Sequence, residues 1–418
     1  MKMPKFPSLG ISGYVKITIL SLAFAALSQS LHGLILPLRV LDFVSEADKN
    51  TVLGAITFTG LVVAMLAQPV AGALSDSTAS RWGRRKPYVL GGAIAVMVLL
   101  PGIGLANGIA YLFVVYCLMQ LASNTAQGPY QGYLPELVAP NYRGRASSLK
   151  SLMEITGGAL GIFLIGRLMS GHSLANEGGL WVALAALSTI IGIILLYLGR
   201  SLKDPPITGP LPHFKNPLLS YRFSLRESPG FGWFLASRLL FFMGAATIQQ
   251  FALFYLRDVI GVENPAGATA AFLLVAVVSM GLAVFPAGYL SDRYGRGRLS
   301  MAAGLAGALG VLVMLVWPSV AAVYFAAAVT GYAIGTFGVT NWAMATDLVV
   351  RGQEARYLAI ANMATAGGAA LARLIGPVID RFNAASPNLG YEVMLGTSVL
   401  YFVAGGLLVL MVKRPASR

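Results

Sequence analysis

The chain has 418 residues, of which 56% are hydrophobic and only 11% charged, with a mean hydropathy of +0.72. Soluble domains carry about a quarter charged residues, so this composition excludes an ordinary soluble domain and belongs to the membrane class. The 30 Lys and Arg against 16 Asp and Glu leave a formal charge of +14, but they fall in short runs between apolar stretches, as in loops held on a cytoplasmic face and unlike a nucleic-acid-binding domain.

At the N-terminus Lys2, Lys5 and Lys16 precede or open an apolar run, and Ala23-Phe24-Ala25 has the small residues of a signal-peptide cleavage site. The run continues through Leu34 and Ile35 to Leu38, long enough to span a bilayer, so a retained first helix is expected. Windows of about 20 apolar residues then predict spans near 14–40, 51–74, 88–106, 110–136, 147–169 and 179–199. A second set follows near 230–256, 265–288, 299–317, 319–346, 355–379 and 391–412. The single cysteine, Cys117, lies inside an apolar span, which excludes an internal disulfide and a cysteine-rich metal site.

Between the two sets, 200–228 holds Pro205, Pro206, Pro210, Pro212 and Pro217 among basic and hydroxyl residues and reads as a linker. The expected organisation is therefore a six-helix domain over 1–199, a linker over 200–228 and a second six-helix domain over 229–418. Loops with Arg81, Arg84, Arg85 and Lys86, with Arg143 and Arg145, with Arg293, Arg296 and Arg298, and with Arg351 and Arg356 alternate with basic-poor loops. That asymmetry predicts both termini and the linker on the cytoplasmic side.

The halves repeat. Gly72-Ala73-Leu74-Ser75-Asp76 returns as Gly288-Tyr289-Leu290-Ser291-Asp292, after the second span of each half. Pro135-Glu136-Leu137-Val138 with Arg143-Gly144 answers Thr346-Asp347-Leu348-Val349 with Arg351-Gly352, and Gly157-Gly158-Ala159 answers Gly367-Gly368-Ala369. Matches in one order argue for an internal duplication of parallel topology.

Gly-x-Leu-Ser-Asp followed by Arg293-Tyr294-Gly295-Arg296-Gly297-Arg298 resembles the loop signature of the major facilitator superfamily. The first copy inserts Ser77-Thr78-Ala79-Ser80 before Arg81-Trp82-Gly83-Arg84-Arg85-Lys86-Pro87. With Asn124-Thr125-Ala126-Gln127-Gly128-Pro129, this form is similar to the sucrose symporters and the related glycoside–pentoside–hexuronide symporters. The resemblance implies an all-α membrane protein of about twelve transmembrane helices in two pseudo-symmetric six-helix bundles, working by alternating access. It departs from those symporters at Gln120, where sucrose symporters carry an aspartate, and 51–71 holds no acidic residue. Coupling to a proton or cation then falls to Glu154, His32 or another group, or transport is uncoupled.

At the loops, a cytoplasmic gate is expected from Asp76, Arg84, Glu136 and Arg143 and their counterparts Asp292, Arg296, Asp347 and Arg351. An Asp at a helix end suits a helix N-terminus, and an Arg suits a carboxylate. The bland reading is that these charges only fix topology. In the fourth span Gln120, Asn124, Gln127 and Gln131 share one helical face. Amides on a lipid-facing surface would lack partners, so this face meets protein or water; it either glues helices together or binds sugar hydroxyls.

Further substrate-site candidates are Gln29 and His32 in the first span, Arg238 and Gln249 in the seventh, Asn341 in the tenth, and Asn362 and Arg373 in the eleventh. His32 alone suits a satisfied interior histidine as well as a proton carrier, both arginines suit snorkelling, and Glu154 suits an ion pair with Lys150. No paired carboxylates, histidine cluster or nucleophile–base set points to an enzyme, and no cofactor or metal is expected. The expected function is transport of a sugar, glycoside or similar small polar solute across a prokaryotic cytoplasmic membrane, with no nucleic-acid partner and no required oligomer. Two other readings remain open: efflux of amphipathic compounds, and a non-transporting assembly factor or receptor.

Overall fold

The computed structural model describes residues 10–139, 142–173, 175–202, 204, 229–348 and 354–412. Among them no strand forms beyond one isolated bridge, Ser173 to Asn176. Among the described residues eleven helices are long and apolar enough to cross a membrane: α1 Ser12–Phe43, α2 Lys49–Asp76, α3 Lys86–Gly104, α4 Ile109–Leu137, α5 Arg143–Leu168, α6 Gly178–Ser201, α7 Gly230–Asp258, α8 Pro265–Tyr294, α9 Arg296–Val316, α10 Val320–Leu348 and α12 Leu389–Met411. The remaining predicted span, α11, is broken: Glu354–Ala372 passes through a 3-10 turn at Arg373–Ile375 into Gly376–Ala385. The described architecture is thus an all-helical integral membrane protein with the predicted number of spans.

Two of the interruptions have a cause in the sequence. Pro37 lacks an N–H and would crowd the carbonyl of Gly33, and α1 passes through a π turn at Leu31–Ile35 that carries His32 and Gly33. Pro377 stands in the same relation to Arg373, and there α11 tightens into its 3-10 turn.

By contacts the chain forms two compact units, one of 1–31 with 59–220 and the other of 32–58 with 221–418. The division therefore crosses α1 and α2, where a sequence reading puts all of 1–199 in one domain. Within the second unit the backbones of 32–58 and α11 approach closely. A methyl group on Gly54 would stand 2.3 Å from the Arg373 carbonyl oxygen, and one on Gly376 would stand 2.2 Å from that of Asn50.

Inside the units the packing repeats. In the first, α1 packs on α5 and α6, and α3 on α4 and α6; in the second, α7 packs on α11 and α12, and α9 on α10 and α12. The duplication read from the motifs is therefore a duplication of helix contacts. Small residues bring the paired helices together. A methyl group on Gly157 would meet the Leu22 carbonyl oxygen at 2.1 Å, and one on Gly368 would meet that of Leu239 at 2.4 Å. Packing thus equates Gly157 with Gly368, one residue off the motif alignment.

Because the obstructing atom is backbone, Gly157→Ala is expected to force α1 and α5 apart and to destabilise the protein by about 1–3 kcal/mol. Thermal unfolding in detergent measures this against Gly91→Ala, where a methyl group meets nothing within 4 Å. Equal melting temperatures for the two variants would refute the close contact.

Candidate functional site

In the first unit the loop between α2 and α3 folds around Arg85. Its guanidinium bonds Glu136 through Nε at 3.1 Å and Nη2 at 2.6 Å, Asp76 at 2.7 Å and the Pro129 carbonyl at 3.1 Å. Arg84 also donates to Glu136. Burial opposes the Arg84 charge, but the hydrogen bond and charge of Glu136, with Asp76 and Asp204 behind it, hold its basicity above the ordinary value. Asp204 accepts from the backbone N–H of Arg85 at 2.7 Å and of Lys86 at 3.2 Å, placing a carboxylate at the positive end of α3. Tyr133 donates to the same carboxylate.

The second unit repeats only part of this. Arg296 pairs with Asp347 and donates to the Ala343 carbonyl at 2.7 Å. Asp292 is exposed and joins no ion pair among the described residues, and Arg351 lies outside them. Arg143 spends its donors on the Pro135 and Val138 carbonyls, at 2.8 and 3.3 Å. The residue at the centre of the first cluster, Arg85, was not among the gate candidates. Its signal was the tandem Arg84-Arg85 just before α3, whose two guanidinium groups both reach Glu136.

On α4 the amide face is present, and its bonds are local. Gln120 donates to the Tyr116 hydroxyl at 2.7 Å, Asn124 to the Gln120 carbonyl at 2.8 Å and Gln127 to the Ser123 hydroxyl at 2.9 Å. The bonds of Asn124 and Gln127 therefore stay on their own helix, so these two do not tie α4 to a neighbour. Gln131 is exposed at the end of the face, and Gln29 is half-buried on α1. Glu154 pairs with Lys150 at 2.6 Å, as the spacing of four suggests. His32 sits half-buried in the π turn.

The second unit gathers Arg238 and Asn341 but not the other candidates. Arg238 is 6% exposed and does not snorkel: Nη1 donates to Asn341 Oδ1 at 2.5 Å, and Nε to Thr365 Oγ1 at 2.7 Å and the Ala361 carbonyl at 3.0 Å. Gln249 and Asn362 are exposed on α7 and α11. Arg373 is buried and donates to the Ala369 carbonyl one turn back.

A second polar cluster in this unit was missed from sequence. Lys49, at the start of α2, reaches Asp258 at 2.5 Å and Glu46 at 2.5 Å, and Arg257 holds Glu46 at 2.6 Å. Tyr391 donates to Asp258 at 2.5 Å, while Asp380 accepts from Asn50 Nδ2 at 2.8 Å and the Thr51 N–H at 2.6 Å. Burial alone would raise the Glu46 carboxyl, but the hydrogen bonds and charges of Arg257 and Lys49 outweigh it and hold the group below its ordinary 4.5. Among the described residues no group of three or more His, Cys, Asp or Glu is placed to hold a metal ion.

Comparison with known proteins places this architecture. A family model described as MFS/sugar transport protein matches residues 48–413. The sucrose transport protein SUC3 of Arabidopsis thaliana is 32% identical over 125 residues, covering 25% of this chain and 20% of that protein's length. A Bacillus subtilis protein named as the uncharacterized MFS-type transporter YfkF is 23% identical over 390 residues, 92% of this chain and 93% of that one. Among solved structures, a D-xylose-proton symporter superposes with a TM-score of 0.72 at 15% identity, over 95% of this chain and 96% of that one. The nucleoside transporter NupG superposes with a TM-score of 0.71 at 14% identity, over 96% of this chain and all of that one. At such identities the superpositions show the fold alone.

Proposed function

Because this chain belongs to the MFS/sugar transport protein family, as a membrane transporter and not an enzyme, we propose that its cargo is a sugar, glycoside or similar small polar solute, moved by alternating access. The amide face of α4 carries this reading. The NH₂ groups of Gln120, Asn124 and Gln127 are held by partners one turn back on the same helix, which fixes their orientation, while the carbonyl oxygens of Asn124 and Gln127 bond to no described group. Oriented, unused acceptors suit hydroxyl hydrogens, and an apolar cargo has no use for them. The sucrose and D-xylose transport named for the relatives agrees with this chemistry. The arginine-rich loops support a cytoplasmic location for both termini, and the Arg85–Glu136–Asp76 and Arg296–Asp347 clusters on that side act as the gate.

The test is a thermal-shift screen of the purified protein against neutral sugars, glycosides, nucleosides and lipophilic cations. A bound sugar at about 100 times its Kd is expected to stabilise by about 2.7 kcal/mol; a shift by lipophilic cations alone would replace this reading with efflux. Coupling is tested by uptake into proteoliposomes. Glu154→Gln and His32→Gln are the variants expected to lose accumulation against a gradient while keeping exchange, and full accumulation by both would remove the two residues from coupling.

A further inference from the structure

The two halves treat the same loop differently. Their repeat aligns Gly83-Arg84-Arg85-Lys86 with Gly295-Arg296-Gly297-Arg298. Both glycines have positive φ, +102° and +93°, and the Arg84–Glu136 pair answers Arg296–Asp347. In the first unit Asp204 fills the hollow beside the glycine. Its carboxylate accepts from the N–H groups of Arg85 and Lys86, and a methyl group on Gly83 would stand 2.1 Å from its Oδ2. In the second unit a methyl group on Gly295 meets nothing within 4 Å, and no described group accepts from the N–H of Gly297 or Arg298. Leu202 and Val412 cap the matching ends of α6 and α12. Two residues beyond Leu202 stands Asp204, whereas two beyond Val412 the sequence has Arg414, a cation.

A cavity of about 320 Å³ lies in that part of the second unit. Arg296, Arg298 and Asp347 line its polar side, and Met344, Leu348 and Leu410 its apolar side. Arg296 and Asp347 neutralise each other, while Arg298 is exposed and joins no ion pair among the described residues. The cavity therefore keeps one cation in excess, beside the N–H groups that open α9, and both favour an anion. Its wall favours an amphiphile. By the same alignment Met344 stands where Tyr133 donates to Asp204, so an apolar side chain replaces a hydroxyl. The cavity also lies where α9 begins and α10 and α12 end, the level at which spanning helices meet lipid headgroups. Leu410 and Met411 beside it are 52% and 53% exposed.

We propose that the cavity between α9, α10 and α12 binds the phosphate of an anionic membrane phospholipid, which gives the second unit the negative charge that Asp204 gives the first. The phosphate oxygens accept from the Arg298 guanidinium and from the N–H groups of Gly297 and Arg298, and the glycerol and upper acyl chain lie against Met344 and Leu410. The lipid thereby stands beside the Arg296–Asp347 pair, as Asp204 stands beside Arg84–Glu136. The inference does not depend on what the cargo is.

The intact protein in neutral detergent is titrated with phosphatidylglycerol, phosphatidylcholine or inorganic phosphate, and read by melting temperature and by the mass of lipid retained. Wild type is expected to hold phosphatidylglycerol about tenfold or more tighter than phosphatidylcholine, with a raised melting temperature. Inorganic phosphate, which makes no use of the apolar wall, is expected to do neither at the same concentration. Arg298→Gln, at an exposed position that folding tolerates, is expected to lower phosphatidylglycerol affinity about fivefold or more and to leave phosphatidylcholine unchanged. Arg298→Lys is expected to keep part of the preference. Arg145→Gln removes an exposed arginine from a different loop and is expected to stay within about twofold of wild type. Equal retention of the two lipids by wild type, or an equal loss in Arg145→Gln and Arg298→Gln, overturns the site. Stabilisation by inorganic phosphate to the same degree as by phosphatidylglycerol overturns the lipid as its occupant.

Discussion

Lys49→Met is expected to destabilise the protein by about 3 kcal/mol, and Asp258→Asn added to it is expected to restore most of the loss. Lys49 is 4% exposed and lies 2.5 Å from Asp258, whose carboxylate keeps 17% of its surface. Breaking a buried pair from one side costs about 3–5 kcal/mol, chiefly because a charge is left without its partner. The low end applies here, since Arg257 remains 3.8 Å from Asp258 after Lys49 is gone. Removing both charges leaves a methionine stem in the place of the lysine stem, against the Phe254 ring, and an amide that still accepts from Tyr391. Glu46→Gln is the contrasting case. Its side chain is 64% exposed, and an exposed ion pair contributes at most about 1 kcal/mol. The lowered Glu46 carboxyl also fixes the sign of the pH effect. Its contribution is complete above the ordinary value of 4.5 and is lost only as the medium is acidified through the lower folded value. Thermal unfolding of the two single variants and the double variant measures the cycle. A double variant as unstable as the sum of its parts would remove the pair from the account.

That cluster also explains what the sequence conceals. Spans drawn by hydropathy stop where charge begins, near 51, 256 and 379, so Lys49, Asp258 and Asp380 each fall one or two residues outside a span and read as loop ends. The helices run further: α2 begins at Lys49, α7 ends at Asp258 and α11 continues to Ala385. A hydropathy window penalises a charge as though it were solitary, and it cannot register that Lys49 and Asp258 satisfy each other, or that Asn50 and Thr51 satisfy Asp380, across more than 200 residues of sequence. The number and order of spans were legible because each needs only local apolar length. The duplication was legible because turn glycines and paired charges repeat in order. Arg238 was legible as a candidate and illegible in role, since snorkelling and burial leave the same mark in a sequence. The break in α11 was open to inference from Pro377, as that in α1 was from Pro37.

Asn124→Leu and Gln127→Leu are each expected to weaken sugar binding by roughly five- to 150-fold, the equivalent of about 1–3 kcal/mol for a lost hydrogen bond to a buried polar group. Gln120, Asn124, Gln127 and Gln131 extend over about 16 Å of one helix face at about 1.5 Å per residue, a reach that suits a solute with several hydroxyls better than a compact ion. The observed bonds sharpen the expectation. Asn124 holds Gln120 by its backbone carbonyl, and Gln127 holds only the Ser123 hydroxyl, so neither leucine breaks a tie between helices. A loss of affinity in these variants therefore reports on the solute and not on a loosened bundle, and an unchanged melting temperature without ligand checks that point. Leucine keeps nearly the volume of the amide and removes its donor and acceptor, so a lipophilic cation held by apolar contact is expected to bind as well or better. Opposite shifts for the two ligand classes assign the α4 face to a polyhydroxylated solute. Unchanged sugar affinity in both variants would detach the site from this helix, whatever the transport assay shows.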